Sequence, residues 1–107
     1  MKAKIDGKTY DILDARSETL FGLVKVTPTL WAFNDDVTLV LEPEDIKAGV
    51  NTEIKSDNKV EINTLHFKFI YDNERFKVRA EDESGNEYDA CLTIETAEKM
   101  VENWSKL

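Results

Sequence analysis

The stretch Leu65–Leu107, LHFKFIYDNERFKVRAEDESGNEYDACLTIETAEKMVENWSKL, decides the fold. It opens with strict alternation. Leu65, Phe67, Phe69 and Tyr71 fall on one face of a strand, and His66, Lys68 and Ile70 on the other. After Asn73-Glu74 the parity shifts: Phe76, Val78 and Ala80 are apolar, while Arg75, Lys77, Arg79 and Glu81 are charged. Directly opposed residues share a face, so a loop of two or four residues is required. The register then pairs Tyr71 with Phe76, Phe69 with Val78, and Phe67 with Ala80. The next strand carries Tyr88, Ala90, Leu92 and Ile94 on its apolar side. Matching faces now needs an odd loop, and Glu83-Ser84-Gly85 supplies it, with glycine where the chain wants φ > 0. Arg79 falls opposite Asp89. A helix follows, with Thr96 as N-cap and an apolar stripe of Ala97, Met100, Val101, Trp104 and Leu107. Trp104 is its expected anchor on the sheet.

The 107 residues are expected to form a single domain, 1–107. Hydrophobic residues make up 41% of the chain, enough for a modest core. The 22 acidic residues outnumber the 14 basic ones, for a net charge of −8. That balance disfavours direct binding to nucleic acid or an anionic membrane and favours a partner protein with a basic surface. The charged N-terminus lacks the apolar run of a signal peptide, and no stretch approaches the roughly 20 apolar residues of a membrane span. Cys91 is the single cysteine, so no internal disulfide can form. A reducing, cytoplasmic setting is expected.

Ahead of the deciding stretch, Lys2–Leu13 predicts a hairpin turning at Gly7-Lys8, with Ile5 opposite Tyr10, Ala3 opposite Ile12 and Lys4 opposite Asp11. Asp14–Glu18 is a polar connection, and Leu20–Val26 is apolar on both faces, as a central strand would be. A helix competes there, but Gly22, Val24 and Val26 weigh against it. Leu30–Phe33 and Val37–Leu41 are expected to pair as a hairpin. Pro43–Ala48 predicts a helical turn stopped by Gly49. Thr52–Ser56 and Val60–Asn63 form a polar edge hairpin around Asp57-Asn58, with Lys55 able to meet Glu61. The apolar parity flips at Asn63-Thr64, which implies a bulge or tight bend.

The expected fold class is therefore α+β: a curled antiparallel β-meander of eight to ten short strands, barrel-like in its curl, with one C-terminal amphipathic helix packed on it. That order of elements resembles, in topology, the pleckstrin-homology-like barrels. In size and charge the chain is similar to small acidic accessory proteins of phages and mobile elements, among them mimics of nucleic acid. That resemblance implies an inhibitor or regulator acting on another protein.

Catalytic patterns find little purchase. His66 is the only histidine and has no cysteine beside it, so neither a zinc site nor a triad is indicated. Cys91 sits beside Lys77 on the charged face, but no positioned base accompanies it. The run Asp82–Glu87 fails as a calcium loop: the glycine comes early, and Thr93 stands where a bidentate glutamate belongs. No cofactor-binding pattern is found, no metal is expected, and the chain reads as a non-enzyme. The nominated partner-binding surface is an acidic tip of Glu81, Asp82, Glu83, Glu87 and Asp89, extended by Asp35 and Asp36. The alternative is a basic strip of Lys68, Arg75, Lys77 and Arg79. The leading expectation is a non-catalytic acidic protein-binding module, a monomer or small homo-oligomer. The alternative is a structural or assembly subunit that pairs through the edge strand Thr52–Asn63.

Overall fold

A computed structural model describes residues 1–16, 23–27, 30–33, 36–48, 51–56 and 58–105. The strands are β1 (Lys2–Ile5), β2 (Lys8–Asp11), β3 (Asp14–Arg16), β4 (Leu23–Thr27), β5 (Leu30–Phe33), β6 (Thr38–Leu41), β7 (Asn51–Ser56), β8 (Lys59–Asn63), β9 (Phe67–Asp72), β10 (Lys77–Asp82) and β11 (Glu87–Leu92). Helix α1 (Pro43–Ala48) follows β6, and α2 (Ile94–Ser105) follows β11. The α+β class and the C-terminal helix stand as expected. An eight-stranded sheet runs β2-β1-β6-β11-β10-β9-β8-β7, and β3-β4-β5 form a second sheet. The large sheet has β2 and β7 at its open edges, so it is not a closed barrel.

One join breaks the meander. Strand β6 lies between β1 and β11, antiparallel to the first and parallel to the second, with Ala90 opposite Leu39 and Leu92 opposite Leu41. The expected β5–β6 hairpin does not form, because β5 pairs with β4 instead. The reason lies in burial. Val37, Leu39 and Leu41 are all inside, and Thr38 and Val40 are half-covered on the other face. A strand covered on both faces belongs in the middle of a large sheet.

The inner face carries the core: Leu39, Leu41, Val60, Ile62, Phe69, Ala80 and Met100 are fully buried. Val26 and Ala32 of the small sheet join the same cluster. Phe67 meets Tyr88 edge to face at 5.6 Å, and Tyr71 meets Trp104 in the same way at 6.3 Å. Trp104 is half-buried and packs against the core, as an anchor for α2 should. The stripe is narrower than the sequence implies, since Val101 is exposed and Thr96 is buried in its place. Leu107 lies outside the described residues. So do Gly49, Asp35, Asp57 and the Leu20–Gly22 part of the predicted strand Leu20–Val26, whose remainder lies in β4.

Two hairpins are slipped by two residues relative to expectation. In the first, Ala3 faces Tyr10 and Lys4 faces Thr9, so the turn is Asp6-Gly7. Both residues have positive φ, 49° and 81°, as a type I′ turn needs, and Asp-Gly meets that need where Gly7-Lys8 would not. In the second, Tyr71 faces Val78 and Phe69 faces Ala80, which leaves Asn73–Phe76 as a four-residue loop. Asp72 accepts a hydrogen bond from Glu74 N at 3.1 Å, and Asn73 N donates to the Asn58 carbonyl at 2.7 Å. Phe76 therefore leaves the inner face. The third hairpin matches expectation: Arg79 faces Asp89, and Gly85 has φ of 82°.

Other local signals shift slightly. Leu65 belongs to the bend between β8 and β9, closed by Thr64 N donating to the Phe67 carbonyl at 2.8 Å, and it is exposed. The expected kink at Asn63-Thr64 is thus a tight turn. The N-cap of α2 is Thr93 rather than Thr96: Thr93 Oγ1 accepts from Thr96 N at 3.2 Å. Ile94, expected to extend β11, becomes the first helical residue. For α1, Asp45 reaches back to accept from Glu42 N at 2.7 Å and also contacts the Met1 amino group at 2.8 Å. Strand β3 forms where the sequence suggested only a polar connection.

Candidate functional site

The outer face of the large sheet has two chemically distinct ends. The turns at 64–67 and 82–86 share one end, because β8–β9 and β10–β11 turn on the same side. Here the acidic residues gather. Glu87 begins β11, and Asp36 lies two residues before Thr38, which faces Asp89 in the parallel β6. The parallel pairing thus places Asp36, just before β6, at the end of the sheet where Glu87 begins β11, a grouping that the sequence alone does not show.

The nominated carboxylates divide by task. Asp82 is structural. Its Oδ1 accepts from Ser84 N at 3.0 Å and Asn86 N at 2.9 Å, and its Oδ2 accepts from Asn86 Nδ2 at 3.0 Å and from the Tyr88 hydroxyl at 3.2 Å. Burial, then the Asp82 charge and its hydrogen bond, push the Tyr88 hydroxyl well above the usual tyrosine range. Glu81 and Glu87 flank Arg79, at 3.6 Å and 3.2 Å. Glu83 is exposed, and His66 Nδ1 lies 3.9 Å from it. Asp89 is exposed opposite Arg79. Leu65, 75% exposed, projects from the neighbouring turn.

The other end is basic. Cross-strand register puts Lys59, Asp72 and Lys77 side by side on β8, β9 and β10. With Arg75, Arg79, Ile70, Phe76 and Cys91 they line a concave groove of about 570 Å³. Of the expected strip, Arg75, Lys77 and Arg79 lie in this groove. Lys68 does not; it sits at the acidic end, 3.5 Å from Glu61. Lys59 is the cation that sequence reading missed. It follows Asp57-Asn58 in a hairpin treated as a polar edge, and only the β8–β9 register moves it next to Asp72. Arg75 Nε lies 3.9 Å from Asp72. Among the described residues, neither Lys59 nor Lys77 forms an ion pair. Phe76 stands 78% exposed at φ of 51°, a conformation uncommon for a bulky residue.

Among the described residues no group of three or more His, Cys, Asp or Glu could hold a metal ion, and no helix is long and apolar enough to cross a membrane. Cys91 is an exposed free thiol. Comparison of the chain with protein-family models, curated proteins and solved structures found no match.

Proposed function

We propose that this chain is a non-catalytic binding module whose acidic end captures a partner protein with a basic surface, acting as its regulator or inhibitor. One observation carries the reading: Asp36, just before β6, and Glu83 and Glu87, of the β10–β11 hairpin, share one end of the sheet with the exposed Leu65, and Asp89 follows them along β11. An apolar contact ringed by charge is how protein interfaces combine packing with steering. A partner that binds nucleic acid would carry the required basic surface, and covering it would block that activity. Assembly through β7 is the weaker alternative. That edge carries a register shift between Ile54 and Ser56 and a Lys55–Glu53 ion pair, both of which discourage pairing with another strand.

The test is comparative capture from cells of the native source, with parent protein and a Glu83→Lys/Glu87→Lys variant as baits. Both positions are exposed; Glu83→Lys should change stability by no more than about 0.5 kcal/mol, and Glu87→Lys, which gives up the exposed contact with Arg79, by about 1 kcal/mol, so the fold is retained. A partner retained by the parent, lost by the variant and released by moderate salt supports the reading. Identical capture by both baits rules the acidic end out.

A further inference from the structure

We propose that the basic groove is a binding site for a small organic anion with an apolar body, an aryl or alkyl carboxylate, sulfonate or phosphate. Four observations converge on it. Its volume of about 570 Å³ matches a small-molecule site rather than a macromolecular track. It gathers Lys59, Arg75, Lys77 and Arg79 in a chain whose net charge is −8. Asp72 and Asp89 are the carboxylates that line it; Asp72 is already engaged by Arg75 and Glu74 N, and Arg79 is held by Glu81 and Glu87, which leaves Lys59 and Lys77 as the cations that face a ligand. Lys59 and Lys77, on either side of Asp72, have no ion-pair partner among the described residues, so their ammonium groups are available to a ligand.

The apolar surface defines the rest of the ligand. Ile70 lies on the outer face between the cationic strands, and Phe76 forms a wall at the turn. Phe76 holds a positive φ, which is unfavourable for a bulky residue, and its ring is left 78% exposed. A ligand stacked on that ring would cover it. Overall charge limits the ligand's size. A polyanion such as nucleic acid would meet the field of the whole acidic surface, whereas a molecule with one or two charges meets chiefly the local excess of cations.

Cys91, the only cysteine, lines the groove and serves as a reporter. The experiment follows alkylation of Cys91 by iodoacetamide while the protein is titrated with decanoate, with 8-anilinonaphthalene-1-sulfonate, with decanol and with inorganic phosphate. The two amphipathic anions should slow alkylation saturably, and decanol and phosphate should be far weaker. Lys59→Gln/Lys77→Gln should weaken decanoate by roughly ten- to a hundredfold, the loss of charge-assisted contacts, with an unchanged urea midpoint. Phe76→Ala should weaken it too, without loss of stability. Decanoate binding that survives in the double lysine variant, or alkylation indifferent to saturating decanoate, overturns the proposal. Protection by phosphate as strong as by decanoate overturns the requirement for an apolar body.

Discussion

Replacing Asp82 by alanine tests whether the acidic tip is partly internal scaffolding. The carboxylate accepts four hydrogen bonds, from two backbone amides, one side-chain amide and one phenol. Hydrogen bonds to a charged acceptor are each worth about 1.5–3 kcal/mol, but they are not additive. Ser84 is exposed, and its N–H regains water in the variant. Asn86 is half-covered and Tyr88 is buried, so their donors lose the most. The expected loss is about 2–4 kcal/mol. Asp82→Asn should recover about half of it, since an amide oxygen in the Oδ1 position still accepts both backbone N–H groups. In the Oδ2 position, however, its NH₂ meets the donating Nδ2 of Asn86. Urea melts at neutral pH measure all three proteins, with Glu83→Gln as a control expected to shift stability by no more than about 0.5 kcal/mol. If Asp82→Ala costs under about 1 kcal/mol, or no more than Glu83→Gln, the turn does not depend on this carboxylate and the reasoning fails.

Two further expectations are simpler. Trp104→Ala should cost about 2–4 kcal/mol, somewhat below the 3–5 of a fully buried aromatic, because the indole is half-covered and rests on the Tyr71 ring. Chemical melts followed by far-UV circular dichroism decide it, and a negligible loss would mean Met100 and Thr96 alone hold α2. The hydroxyl of Tyr88 is raised in the fold above its unfolded value of about 10. The native state therefore holds that proton more tightly, so the stabilisation is complete below about pH 10 and disappears as pH climbs through the folded value. Thermal melts across the alkaline range should fall steeply for the parent and less so for Tyr88→Phe; parallel curves would dismiss the linkage.

What the sequence discloses follows from how each signal is encoded. Gly85 marks its turn because the backbone there needs a positive φ. Pro43 marks the start of α1. The alternation in β9 and β10 assigns faces correctly but fixes register only in steps of two, so a slip of two keeps every side chain on its own face. That degeneracy makes the Tyr71–Phe76 and Lys4–Asp11 pairings as consistent with the alternation as the observed Tyr71–Val78 and Lys4–Thr9. The tie-breakers are local: the Asp6-Gly7 pair in one turn, and the Asp72 and Asn58 contacts in the other. The placement of β6 beside β11 has no local signature at all. It hides both the company Asp36 keeps at the acidic end and the depth of Leu39 in the core. The basic groove was half visible as Arg75, Lys77 and Arg79 on one strand and its turn, while Lys59 needed the neighbouring hairpin to be folded against them.

The β6–β11 join also sets the order in which the molecule can be made. From β7 onward every strand of the large sheet neighbours the next in sequence, so this portion can zip up from local contacts, which form fast. Strand β6 leaves the ribosome early, but its partner appears only after a helix and four more strands have been synthesised. Leu39 and Leu41 must wait through that interval without their final cover, while β11, once formed, offers an unpaired edge until β6 arrives. Closure of that seam joins the two ends of the chain's history, and it is the step at which a crowded solution of nascent molecules could exchange β6 strands between copies.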